Sequence, residues 1–157
     1  MTFTKPKAFG RILLVDDNVD SVEMMQLLLT SLGYAVEIAF RGDDGLALAR
    51  TFMPAAVFLD IGMPGMSGYE VAVEIRKDPQ LNDVFLLALT GWNDQATRAA
   101  VIAAGFDRHM AKPPKFDEIT RILSHYFSFR QNASADDSTS KDLPANPTGT
   151  ATDLFPD

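Results

Sequence analysis

Ala55-Ala56-Val57-Phe58-Leu59-Asp60, continuing into Ile61-Gly62-Met63-Pro64-Gly65-Met66-Ser67-Gly68, passes from an apolar run through a carboxylate to glycine and proline. A short apolar run bounded by turn residues reads as a strand buried on both faces, as in parallel sheets. In an open α/β sheet, ligands bind in the crevice outside the carboxyl ends of the strands. An acid at that point is costly to bury, so its charge must be stabilised or used. Taken alone, such an Asp is simply a helix cap. The sequence on either side of it points to more.

Upstream, Ile12-Leu13-Leu14-Val15 is a compact apolar strand followed at once by Asp16-Asp17-Asn18. Asp17 or Asn18 can cap the next helix, where Val22, Met25, Leu28, Leu29 and Leu32 recur at helical spacing and Gly33 serves as the stop. Tyr34 to Ala39 gives a second strand, Gly42 starts a second helix, and Pro54 closes the turn into the strand bearing Asp60. Downstream, a third helix runs from Tyr69 through Arg76 and stops before Asp78-Pro79. Val84 to Leu89 is a buried strand ending at Thr90-Gly91, and Asp94 to Ala104 is helical with Gly105 as its stop. Phe106 to Met110 reads as an edge strand interrupted by Asp107 and Arg108, and a last helix runs from Phe116 to about Phe129. Strands alternating with helices imply βαβ units and a parallel sheet with helices on both faces. The expected organisation is a flexible lead-in over 1–10, one folded domain over 11–129, and a disordered acidic tail over 130–157.

Composition narrows the function. The 157 residues, 46% of them hydrophobic, suffice for one core. The absence of cysteine excludes disulfides and thiolate metal sites, and the two histidines, His109 and His125, lie far apart in the sequence, which disfavours a zinc centre. The net charge of −7 argues against direct nucleic-acid binding. No run approaches membrane-spanning length and the first residues lack a signal-peptide core, so a cytoplasmic protein without membrane insertion is expected. Met24, Met25, Met63 and Met66 read as packing residues, and Arg98 and Arg108 as solvated.

Asp16, Asp17, Asp60, Thr90 and Lys112 all fall at carboxyl ends of strands, on one edge of the expected sheet. Clustered carboxylates repel and need a counter-charge. Lys112 supplies one, and a hard dication such as Mg²⁺ would supply more, since it takes one or two carboxylates together with waters and phosphate oxygens. Such a set suits a phosphoryl group, and an aspartate carboxylate is an established acceptor of one.

With these residues in order, and with Met63-Pro64-Gly65-Met66-Ser67-Gly68 after Asp60 and Pro113 after Lys112, the sequence resembles the receiver domain of bacterial two-component response regulators, of the single-domain chemotaxis-regulator type. The likeness covers roughly residues 10 to 128. It implies a flavodoxin-like (βα)5 fold with strand order 2-1-3-4-5, an order taken from the family and not from the residues. It implies Asp60 as phosphoacceptor, and Mg²⁺, with Mn²⁺ as a substitute, held by Asp16, Asp17, Asp60 and the backbone carbonyl of Gly62. Thr90 and Lys112 would bind the phosphoryl group, Gly91 would leave the pocket open, and Lys112-Pro113 would be a cis peptide. The implied partners are a histidine kinase or histidine phosphotransfer protein upstream. Downstream, a protein would read the face of the fourth helix, fifth strand and fifth helix, with the receiver a monomer or a phosphorylation-dependent dimer.

His109 stands where the family usually carries the Tyr or Phe switch residue, and Trp92 is bulky for a pocket position. Three other readings compete. An aspartyl-phosphate phosphatase would want an acid two residues after the nucleophile, where Gly62 stands. A degenerate receiver would bind partners without phosphorylation, and a hybrid histidine kinase could carry the same receiver as a fragment. A P-loop enzyme is excluded by the missing glycine-rich lysine motif. A flavodoxin is disfavoured by acids where a phosphate needs backbone amides.

Overall fold

The computed structural model describes residues 10–92 and 94–136, with side chains as far as residue 128. The lead-in over 1–9 and the tail beyond 136 lie outside the described residues. The elements are β1 (Arg11–Val15), α1 (Val19–Ser31), β2 (Ala35–Ala39), α2 (Gly42–Phe52), β3 (Ala56–Asp60), α3 (Gly68–Lys77), β4 (Phe85–Thr90), α4 (Gln95–Ala104), β5 (Arg108–Ala111) and α5 (Phe116–Asp136). The sheet is parallel, in the order β2-β1-β3-β4-β5. This is the flavodoxin-like (βα)5 fold. The chain divides into two compact units at the Lys115–Phe116 junction.

In the first unit, β3 lies between β1 and β4, and every one of its residues is buried. That is why its sequence is apolar without alternation. Leu13, Val15, Val57, Leu59, Leu86 and Ala88 form one core with Leu46, Val71, Ala72, Ile75 and Val101 of α2, α3 and α4. The alternate residues Leu14, Phe58 and Leu89 face the opposite side, where they line one small cavity with Val22 and Met25 of α1. Burying each such side chain contributes about 1.5–3 kcal/mol, which fixes the strand ends that carry the site.

Helix boundaries follow local chemistry. Asn18 caps α1, its side-chain oxygen accepting from Ser21 N–H at 3.0 Å. Asp94 caps α4 in the same way, through Thr97 N–H at 2.8 Å, so this helix starts one residue later than its sequence suggests. Gly33 and Gly105 adopt φ of +101° and +104°, the left-handed conformation of a helix stop. Met53 closes α2 with φ of +52°, an unusual angle for a side-chain-bearing residue that the sequence does not signal.

Three expectations need correction. The edge strand runs over Arg108–Ala111, not from Phe106, because Phe106 N–H still bonds Val101 O at the end of α4. Met24 is 60% exposed and does not pack in the core. The second unit's helix, α5, continues to Asp136, past the expected end near Phe129. Its Ile119, Ile122, Leu123 and Phe127 are buried, and Tyr126 meets Phe127 edge to face at 5.2 Å.

Candidate functional site

Three strands bring the acids and the lysine together. β1 ends one residue before Asp16, which is buried; Asp17 is exposed beside it; β3 ends on the buried Asp60. Single carboxylate oxygens of Asp16, Asp17 and Asp60 lie within 4.8 Å of one another. Lys112 follows β5, and its Nζ stands 3.0 Å from Asp16 Oδ2 and 3.2 Å from Asp60 Oδ1. The counter-charge that the acids require is therefore an ion pair to both buried members. The Lys112–Pro113 peptide is cis.

Backbone donors complete the acid site. Asn18 N–H donates to Asp16 Oδ1 at 3.0 Å, and Gly62 N–H donates to Asp60 Oδ1 at 3.2 Å. Gly68 allows the start of α3 to sit against the end of β3. A Cβ there would fall 2.5 Å from the Asp60 carbonyl oxygen and 2.9 Å from Ile61 Cα. Ser67 and Glu70 hold that turn through a capping box: Ser67 N–H donates to Glu70 Oε1 at 2.9 Å, and Glu70 N–H to Ser67 Oγ at 3.3 Å.

The electrostatics are those of a crowded acid. Burial, then the charge of Asp16, push the Asp60 carboxyl up to about 6, although Lys112 and the Gly62 N–H oppose the shift. Burial works against the Lys112 ammonium, but the Asp16 and Asp60 carboxylates outweigh it and hold its pKa above the ordinary lysine range. The donor set fits Mg²⁺: hard carboxylate oxygens, two of them buried, whose mutual repulsion one lysine only partly cancels.

In front of Asp60 opens a cleft of about 490 Å³, lined by Asp17, Gly62, Thr90, Gly91 and Lys112 among others. Gly91 leaves free space, since a Cβ there would meet nothing within 4 Å. Thr90 is buried at the end of β4, and its hydroxyl is engaged by its own loop: it donates to the Trp92 carbonyl and accepts from Trp92 N–H at 2.8 Å. Trp92 lines the cleft while remaining 74% exposed. Tyr69 and Thr97 line it too, which sequence reasoning missed; each falls in the first turn of its helix, and a first turn that follows a strand end points at the crevice. His109 is not among the lining residues. It sits half-buried on β5, opposite Ala88.

Comparison with known proteins gives one answer. Residues 12–124 match the response regulator receiver domain. A protein named as a probable transcriptional regulator, ycf27, of Guillardia theta is 38% identical over 103 residues, which are 66% of this chain and 39% of that one. An uncharacterized 14.6 kDa protein of Leptolyngbya boryana is 29% identical over 115 residues, covering 73% of this chain and 88% of that one. The chemotaxis protein CheY4 of Vibrio cholerae superposes with a TM-score of 0.71 at 27% identity, over 75% of this chain and 98% of that chain. The match to ycf27 thus spans about two fifths of that relative's length.

Proposed function

The chain belongs to the response regulator receiver domain family, the phosphoacceptor modules of two-component signalling, and from that premise we propose that Asp60 is its phosphoacceptor. The observation that carries this reading is the placement of Asp60: buried, lining an open cleft, 3.2 Å from the Lys112 ammonium. Residues 11–129 form the phosphoacceptor module. The donor is a phosphohistidine on a histidine kinase or histidine phosphotransfer protein. A downstream protein reads the surface that carries α4 and β5. Among the described residues, no helix is long and apolar enough to cross a membrane.

In the transfer step, an Asp60 carboxylate oxygen forms a bond to phosphorus while the phosphorus–nitrogen bond of the donor breaks. The electron pair of that bond returns to the imidazole nitrogen. Hydrolysis later reverses the state, with water attacking phosphorus and the Asp60 carboxylate leaving. Asp16, Asp17, Asp60 and the Gly62 carbonyl would hold Mg²⁺, which when bound would supply positive charge for the phosphoryl oxygens. Lys112 gives up its contact with Asp60 and pairs with the phosphoryl group. The Thr90 hydroxyl exchanges the Trp92 carbonyl for a phosphoryl oxygen, which ties occupancy of the pocket to the segment after β4. On β5, His109 takes the place of the aromatic switch residue and moves with that segment.

Incubation with Mg²⁺ and acetyl phosphate, read by intact mass, tests the proposal. One added phosphoryl group is expected, absent after chelation and absent in Asp60→Asn. The same adduct on Asp60→Asn would move the acceptor elsewhere.

A further inference from the structure

Arg76, in the last turn of α3, directs its guanidinium to segments beyond its own helix, some near and some distant in sequence. Its Nε donates to Gly105 O at 2.8 Å, at the C-cap of α4. Nη1 donates to Asn82 O at 2.9 Å and to Val84 O at 2.7 Å, on the approach to β4. Nη2 donates to Asp107 Oδ2 at 2.9 Å, just before β5. That same Asp107 oxygen accepts from Leu86 N–H at 2.8 Å, and Asp107 N–H returns a bond to Leu86 O at 2.9 Å. Asp107 therefore adds a rung to the β4–β5 ladder ahead of its first register pair, Leu87 with Arg108.

The far end of that ladder is the site. The register closes with Thr90 opposite Ala111, and Lys112 N–H donates to Thr90 O at 2.8 Å. Among the described residues, β5 is a short edge strand, paired on one side only. A one-residue slip of such a strand would turn its side chains to the opposite face. We infer that Arg76 and Asp107 are positioning residues for the phosphoryl pocket, fixing the β4–β5 register that sets Thr90 against Lys112. A planar fork of donors reaches three carbonyls and a carboxylate at once, which a lysine ammonium does not. The inference rests on the phosphoacceptor reading and adds to it a division of labour. Asp16, Asp17 and Asp60 lie on or just after β1 and β3, to which the Arg76 and Asp107 side chains make none of these bonds; the clamp reaches the acids only through Lys112, so metal binding and phosphoryl binding depend on it unequally.

The test compares two ligands on the full chain. Trp92, the single tryptophan and a cleft residue, reports by fluorescence the affinity for Mg²⁺ alone and then for beryllofluoride at saturating Mg²⁺. Arg76→Met should bind beryllofluoride about tenfold more weakly, with Mg²⁺ affinity within about twofold of the parent. Arg76→Lys should resemble it, and Asp107→Asn, which keeps an acceptor for Leu86 N–H, should fall between. Should Arg76→Met fail to fold, Asp107→Asn carries the comparison. Unchanged beryllofluoride affinity in folded variants overturns the inference, as does a parallel loss of both ligands, the mark of a general structural role. A parent protein that binds Mg²⁺ but no beryllofluoride would instead overturn the phosphoacceptor reading.

Discussion

Asp60 is held ready at a cost to the fold. Its carboxyl is raised from 3.8 to about 6, first by burial and then by Asp16, so the folded chain binds a proton more tightly than the unfolded chain. The stability this proton contributes is fully present below about pH 4 and is lost as pH rises through about 6. At neutral pH the ionised carboxylate therefore opposes folding in the absence of metal. Asp60→Asn should stabilise the metal-free protein near pH 7, and by less at pH 4.5. Urea titrations in chelator at the two pH values check this; equal gains at both would mean that the buried charge is not the cause. The charge cluster itself was legible in the sequence, since Asp60 ends a strand and Asp16, Asp17 and Lys112 each come just after one. The strength of the conflict was not, because it depends on how deeply each carboxylate is buried.

The turn from β3 into α3 is the element on which the site leans. Gly68 lets the helix start against the Asp60 carbonyl, and the reciprocal Ser67–Glu70 bonds satisfy two helix donors there. Ser67→Ala should cost about 1 kcal/mol, measured as a lower urea midpoint at unchanged slope. An unaltered midpoint would show that tertiary packing alone holds the turn. Ser67-Gly68-Tyr69-Glu70 carries the capping pattern in plain view, so this feature was available to a sequence reading that did not use it. The start of β5 was not available. Asp107 looks like a charge interrupting a strand until Arg76 and Leu86 N–H arrive to use it, and both come from remote parts of the chain. Arg76, likewise, stands out in the sequence only as a residue of the third helix.

At the scale of the molecule, folding and ligation draw on the same repulsion among the acids. A ligand that binds only the folded state stabilises it by mass action, about 2.7 kcal/mol at a hundred times its dissociation constant. Mg²⁺ should therefore raise the melting temperature, chelation should reverse the rise, and Asp17→Asn, at an exposed position, should blunt it without unfolding the chain. A melting temperature indifferent to Mg²⁺ would remove the metal from this site. By itself, the sequence determined the alternation of strands and helices, and the residues delivered to the carboxyl ends of the strands. Those features follow from local periodicity, turn residues and caps, which act over a few neighbours. Only the tertiary structure decided that Lys112 meets both Asp16 and Asp60, that the Thr90 hydroxyl is engaged by Trp92, and that Arg76 and Asp107 clamp β4 to β5. Burial, pKa and the choice among competing partners depend on distances through space, and the parallel sheet, by bringing remote segments side by side, sets those distances.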